Sequence, residues 1–275
     1  MDLQLSIYGE NVYALPLEVF TCKTVIKMKL GTDFGIDFLP KNAWLPALET
    51  LCLDSIRFYD LHDCAFQALL FASPELKELI IDVKLNLRLV PNPQWDGLYP
   101  DDEDVYSSNP ANLIKGIRHV KILELSSSFS FEALNFFHRS FPLYECLNLL
   151  ILNHVDVEFC WQFLPFLLKK APNLKTLIIK GGLHCGEEPD YGYVCRCLSN
   201  YSCLPSSNIE VLKINLAEGG TVAELEQLKN FLGKLTSLQL LQVGSWKKLR
   251  KEFMSDLLKL PRASSKCKIQ QTRLQ

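Results

Sequence analysis

The hydrophobic residues of this chain recur in one short pattern, L-x-x-L-x-L, in which any aliphatic residue or Met fills the three apolar positions. Five of the seven intervals between successive copies are 23 to 29 residues long. The sequence is therefore built from a repeated unit. Its eight copies start at Val25, Leu48, Leu76, Val120, Leu147, Leu174, Ile209 and Leu238.

Each copy predicts a short β-strand, because its last two apolar positions alternate with other residues. Between copies, apolar residues follow helical spacing within residues 62–73, 129–140 and 158–171. In the last of these ranges, Pro165 either bends the helix or opens its main turn. A proline two residues before a copy predicts the end of the preceding helix and the start of an extended segment. Three copies have one, at Pro46, Pro74 and Pro172.

The C-terminal region predicts the order strand, helix, strand, helix, strand. Its first strand covers residues 209–216, and Thr221 with Glu224 predicts a capping box at the start of the next helix. The other three elements are predicted at residues 238–243, 249–260 and 266–270.

One strand and one helix cannot bury an apolar face by themselves. Burial of a Leu or Ile side chain contributes about 1.5–3 kcal/mol, whereas ordering each residue costs about 1–2 kcal/mol of backbone entropy. Stacked repeats cover one another and share a continuous core. The predicted fold is an α/β leucine-rich-repeat arc, a solenoid with a parallel sheet on its concave face and helices or irregular turns on the other.

Two regions depart from the repeat. Residues 91–110 form a Pro-, Asp- and Ser-rich insertion with the acidic run Asp101–Asp104, and residues 181–208 form a loop that contains cysteines. The predicted division is a leucine-rich-repeat region over residues 1–204 and a separate domain over residues 205–275.

Composition excludes several classes of function. The chain has 275 residues and a net charge of −2, which gives no reason to expect nucleic acid as a partner. No apolar run reaches the 18 or more residues that span a bilayer, and the N-terminus lacks the pattern of a secretory signal. We therefore expect no membrane association and an intracellular location, cytoplasm or nucleus, where the ten cysteines remain thiols.

Candidate chemistry is sparse. A zinc site needs four N or S ligands, usually in pairs such as C-x-x-C, and the pairs in the cysteine loop are adjacent or one residue apart. No nucleophile elbow or phosphate-binding glycine loop occurs. We expect no catalytic residue, no metal and no cofactor; about one equivalent of bound zinc would favour a metal-dependent enzyme instead. The loop's candidate ligands are His184, Cys185, Cys195, Cys197 and Cys203.

The predicted recognition surface is the concave face of the sheet. The fifth position of each copy, and the residue two positions further on, point away from the core. Several of these residues are apolar and others polar, a mixture typical of protein-binding grooves; the alternative is that the two loops cover them. The candidate binding residues are Asp54, Ile80, Asp82, Glu124, Ile151, Asn153, Ile178, Lys180, Lys213 and Asn215.

Several stretches resemble the plant F-box proteins that carry leucine-rich repeats and a C-terminal FBD domain. The resemblance covers nearly the whole chain, and its most specific part is the ending LPRASSKCKIQ. The other stretches are LPLEVFTCKTVIKMKLG (residues 15–31), LPALETLCLDSIRF (45–58), SPELKELII (73–81) and APNLKTLIIKGGLH (171–184).

This resemblance implies a non-catalytic subunit that presents a protein substrate to a cullin-type ubiquitin ligase, with residues 205–275 as the FBD-like domain. In the family an N-terminal F-box docks on a Skp-type adaptor. No segment before Leu15 is long enough to be an F-box. Adaptor docking is therefore expected only if an F-box is supplied upstream or another docking surface exists. The alternative is a stand-alone interaction or decoy protein with no ligase link.

Overall fold

The computed structural model of the chain describes residues 1–7, 13–31, 34–36, 38–54, 56–58, 65–82, 118–126, 142–153, 163–183, 202–216, 219–245, 247 and 249–272. The chain divides into two compact units, Met1–Ile117 (unit 1) and Arg118–Gln275 (unit 2).

Unit 1 contains two parallel sheets among its described residues. The main sheet has the strand order β1-β3-β5-β7 and the small one β2-β4-β6. The helix α1 (Ala65–Phe71) lies between β6 and β7 in the chain. The strands are β1 (Asp2–Ser6), β2 (Tyr13–Ala14), β3 (Lys27–Gly31), β4 (Phe34–Ile36), β5 (Thr50–Asp54), β6 (Arg57–Phe58) and β7 (Glu78–Asp82).

Unit 2 has one parallel sheet in which the described strands follow chain order. Its strands are β8 (Ile122–Ser126), β9 (Leu149–Asn153), β10 (Thr176–Lys180), β11 (Val211–Leu216), β12 (Leu240–Ser245) and β13 (Lys268–Gln271). The α-helices among its described residues are α2 (Leu164–Lys169), α3 (Val222–Lys234) and α4 (Lys251–Lys259). The predicted alternation of strands and helices at the C-terminus is confirmed.

The repeated leucines form the core of each unit. Every described residue at the three apolar positions of the eight copies is at most 6% exposed. The copies lie side by side in register, so each leucine packs against its equivalents in neighbouring strands. One strand per copy, parallel pairing and a shared leucine core confirm the predicted α/β leucine-rich-repeat fold.

The prolines before the copies lie in tight turns. Those at Pro74 and Pro172 follow helices, as predicted, whereas no helix precedes Pro46 within residues 38–45. In each case the backbone N–H of the copy's first residue donates to the carbonyl three residues earlier, at 3.2 Å, with proline as the second residue of the turn. Proline favours this position because its fixed φ matches the turn. The donor and acceptor pairs are Leu48 and Leu45, Leu76 and Ser73, and Leu174 and Ala171.

Two helix starts follow the sequence prediction. Pro165 lies in the first turn of α2, so it opens the helix and does not bend it. At the start of α3, the backbone N–H of Glu224 donates to Thr221 Oγ1 at 3.1 Å, and the backbone N–H of Thr221 donates to Glu224 Oε2 at 2.8 Å. This pair is the predicted capping box. The helix predicted over residues 129–140 lies outside the described residues.

The sequence prediction missed part of unit 1. Strand β1 pairs with β3 so that Leu3 and Leu5 align with the core residues Met28 and Leu30. Asp2–Ser6 contains only the last two apolar positions of the six-residue pattern, so the pattern did not predict β1. The small sheet was also missed, since two of its strands are only two residues long.

Two further findings concern the organisation of the chain. The boundary between the two compact units falls between residues 117 and 118 of the sequence. The assignment of residues 205–275 to an FBD-like domain stays a prediction. Within the described ranges, no helix combines the length and the apolar character needed to cross a membrane.

Candidate functional site

The candidate site is the side of the unit 2 sheet opposite the leucine core, which we call the open face. Its side chains belong to the third, fifth and seventh positions of each copy, because strand residues alternate between the two sides. Parallel pairing in register arranges them in three rows across the strands. Those described in β8 to β12 are partly exposed, except Gly244, which is buried.

The third-position row is mostly aliphatic, and the sequence prediction missed it. It contains Ile122, Leu149, Thr176, Val211 and Leu240, one from each of β8 to β12. Sequence reasoning considered only the fifth position and the residue two positions further on. The sequence pattern could have predicted this row, because the third and fifth positions are two residues apart and therefore lie on the same side of a strand.

The fifth-position row adds two isoleucines to this surface. Ile151 on β9 and Ile178 on β10 pair directly in register and are both partly exposed. Together with Ile122, Leu149, Val211 and Leu240 they make six aliphatic side chains on adjoining strands. We call this set the apolar patch.

A salt bridge joins two strands of the open face next to the apolar patch. Lys180 Nζ on β10 lies 3.1 Å from Glu124 Oε1 on β8, so the pair spans the intervening strand β9. The side chains are 34% and 20% exposed. Neither the sequence separation of 56 residues nor the residue types indicate this contact, which depends on the register of three strands.

The remaining candidates of unit 2 lie around the patch. Asn153 and Asn215 flank Lys180 in the seventh-position row. Lys213 lies in the fifth-position row between Ile178 and Gln242. The Gln242 side chain donates from Nε2 to Oε1 of Gln270 on β13, at 3.3 Å.

Three candidates lie in unit 1, where the equivalent face is polar. Ile80 is partly exposed and pairs in register with Cys52, and Asp54 pairs in register with Asp82. The third-position row consists of Lys27, Thr50 and Glu78 on β3, β5 and β7. Thr50 Oγ1 donates to Glu78 Oε2 at 3.0 Å. The ten candidates therefore fall into two groups with different chemistry.

An open depression of about 520 Å³ lies at the amino ends of the strands of unit 2, away from the open face. Lys175 Nζ and Glu210 Oε1 lie 3.8 Å apart, and Gln239 Nε2 donates to Glu210 Oε2 at 3.3 Å. Eight polar or charged residues and one cysteine line it: Lys121, Glu145, Cys146, Asn148, Asn173, Lys175, Asn208, Glu210 and Ser237.

The structure adds little to a metal-site interpretation of the cysteine loop. His184, Cys185, Cys195 and Cys197 lie outside the described residues. Cys203 is described as a free thiol, and burial raises its pKa, which disfavours the thiolate that binds zinc. Within the described part of the chain, no three His, Cys, Asp or Glu side chains are grouped to hold a metal ion.

Comparison with known proteins identifies several proteins of similar sequence. The sequence matches no family model. It is 41% identical to F-box/LRR-repeat protein At3g58980 of Arabidopsis thaliana, over 98% of this chain and 57% of that protein. It is 35% identical to F-box/LRR-repeat protein At3g62440 and 37% identical to F-box protein At3g62430, both of Arabidopsis thaliana. These matches cover 98% of this chain and 73% and 75% of the two relatives. With this identity over nearly its whole length, the chain belongs to the plant F-box/LRR-repeat family.

Proposed function

We propose that the chain is a non-catalytic protein-recognition module that binds a protein partner through the open face of unit 2. The observation that carries this proposal is the apolar patch, six partly exposed aliphatic side chains on adjoining strands. Partly exposed aliphatic groups framed by polar ones are typical of protein-binding surfaces. The frame is supplied by the Glu124–Lys180 pair, Lys213 and the two asparagines.

The family adds an expectation about the role of this binding. Its relatives are named F-box proteins, and the F-box family's role is to bring a protein to a ubiquitin ligase. We propose that this chain supplies the substrate-binding part of such a subunit, inside the cell, and that docking on a Skp-type adaptor requires an F-box or another docking surface. The chain spans only 57% of the first relative's length.

The test compares two matched substitutions. Ile178→Asp places a charge in the apolar patch of unit 2, and Ile80→Asp makes the same change at the same position of the pattern in unit 1. Both side chains are partly exposed, so neither substitution should unfold the protein; circular dichroism checks this. Each variant and the native chain serve as bait in plant extract, with quantitative mass spectrometry and an antibody against the Skp-type adaptor.

We expect proteins captured by the native chain to be lost with Ile178→Asp and retained with Ile80→Asp. Identical captures by all three baits would contradict the proposal. Recovery of the adaptor and cullin would support the ligase role. Recovery of other proteins alone, lost with Ile178→Asp, would identify a stand-alone binding module.

A further inference from the structure

Lys213 is a cation on the open face of unit 2 that has no salt bridge within the described residues. Lys213 lies on β11 between Ile178 of β10 and Gln242 of β12, and its side chain is partly buried. Within the described residues it makes no salt bridge and no side-chain hydrogen bond, whereas Lys180 on the neighbouring strand pairs with Glu124 at 3.1 Å. Within the described residues, this face thus has one partly buried lysine that an acidic partner neutralises and one that has no such partner.

Lys213 lies so close to the apolar patch that a partner covering the patch also displaces water from the Lys213 ammonium group. Ile178 is its direct neighbour in register, and Val211 precedes it by two residues on the same side of β11. A partner that covers these two side chains also removes water from the ammonium group. Burial of a charge without a partner costs several kcal/mol. An apolar partner without an acidic group would therefore be rejected.

The arrangement of the cations favours a carboxylate over a phosphate. Phosphate groups are commonly bound by arginine forks or by several donors at once. Strands β8 to β13 contain no arginine. Two other lysines are described near the patch: Lys180 is already paired with Glu124, and Lys268 lies on β13, two strands away from Lys213. One ammonium group matches one carboxylate in charge.

The overall charge of unit 2 supports an acidic partner. Residues 118–275 carry 20 Lys and Arg against 14 Asp and Glu, a net charge of +6. Residues 1–117 carry 9 against 17, a net charge of −8. A positive field attracts acidic segments and increases their rate of association.

We propose that the open face of unit 2 binds a short acidic and apolar polypeptide segment. A carboxylate of Asp or Glu in the segment pairs with Lys213, and adjacent apolar side chains cover Ile151, Ile178 and Val211. The five strands β8 to β12 span about 19 Å at a strand spacing of about 4.8 Å, which about six extended residues cross. This inference rests on the proposed function and specifies the chemistry of the partner.

The experiment selects ligands for the full 275-residue chain from a display library of random twelve-residue peptides. We expect enrichment of Asp or Glu flanked by Leu, Ile or Phe. Binding of the selected synthetic peptides is then measured with the native chain, Lys213→Gln, Lys213→Glu and the matched control Lys251→Glu. Lys251 is an exposed cation on α4, outside the open face.

The expected result is a charge-specific coupling. Lys213→Gln, or replacement of the peptide's carboxylate by an amide, should weaken binding about tenfold or more. Lys213→Glu should abolish binding, and a peptide with Lys in place of its acidic residue should restore it. Lys251→Glu should leave the affinity within about twofold.

Other outcomes separate this inference from the proposed function. Some peptides could lose binding with Ile178→Asp but keep the same affinity after Lys213→Gln and after removal of their carboxylate. That result would overturn the acidic-segment inference, while the open face would remain the binding surface. Tighter binding after the carboxylate is replaced by phosphoserine would overturn the choice of carboxylate. If no selected peptide responds to Ile178→Asp, both proposals fail.

Discussion

The two units contain the same leucine core beneath different surfaces. In unit 1 the third-position row is Lys27, Thr50 and Glu78, and in unit 2 it is Ile122, Leu149, Thr176, Val211 and Leu240. The core positions repeat because every copy must cover its neighbour. Residues on the opposite side of the sheet do not pack in this core, so they can differ between copies without a loss of core packing. The comparison teaches that the repeated rows supply the core of both units, whereas the variable rows make their surfaces chemically different.

The largest expected effect tests whether the two cores are equivalent. Leu51→Ala in unit 1 and Leu177→Ala in unit 2 remove the same fully buried side chain from the same position of the pattern. Each should lower the free energy of unfolding by about 2–5 kcal/mol, through lost burial and a residual cavity. Denaturant titration with hydrogen exchange of residues 1–117 and 118–275 measures the effect in each unit. A loss below about 1 kcal/mol for Leu177→Ala alone would show that the unit 2 sheet lacks a packed core.

The next effect destabilises unit 2 without altering either face. Gly220 has φ 98°, and a Cβ there would lie 2.5 Å from the Phe253 ring of α4. Gly220→Ala should cost about 2–5 kcal/mol, from backbone strain of about 1–2 kcal/mol and overpacking of about 1–3 kcal/mol. Thermal unfolding monitored by circular dichroism measures it.

Gly233→Ala is the matched control in unit 2. This glycine lies in α3 with no heavy atom within 4 Å of an added Cβ, so alanine should stabilise the helix by about 0.5–1 kcal/mol. Equal destabilisation by both substitutions would contradict the close contact between Gly220 and Phe253.

The sequence predicted the cores better than the faces. Core leucines such as Leu150 and Leu177 follow a fixed spacing, and burial makes that spacing obligatory. The aliphatic third-position row follows from the same pattern but was not predicted, so only Ile151 and Ile178 of the six patch residues were among the candidates. The Glu124–Lys180 pair could not be predicted, because it depends on the register of three strands.

The division of the candidates could not be predicted either. The spacing of the copies is as regular across the division between the units as elsewhere once the insertion at residues 91–110 is set aside. Asp54, Ile80 and Asp82 therefore looked equivalent to Asn153, Ile178 and Lys180. The structure places them in separate units with different neighbours.

The smallest effect tests whether the open face of unit 2 changes the strength of charge interactions. Glu124–Lys180 is 20% and 34% exposed, whereas the Glu49–Lys77 salt bridge of unit 1 is 45% exposed at both side chains. Double-mutant cycles with Glu→Gln and Lys→Met at each pair should give a coupling of about 0.5–1 kcal/mol in unit 2 and less than about 0.5 kcal/mol in unit 1. Both couplings should shrink in about 1 M salt, where the screening length falls to about 3 Å.

Equal couplings would mean that partial burial on the open face does not strengthen electrostatic interactions. Lys213 shares that face, so its ammonium would then lose little on being covered by a neutral partner. The case for an acidic segment would lose its physical basis even if the apolar patch binds a protein. A stronger coupling in unit 2 would instead show that desolvation acts on this surface. Selectivity for a carboxylate would then follow from the position of Lys213 between Ile178 and Gln242.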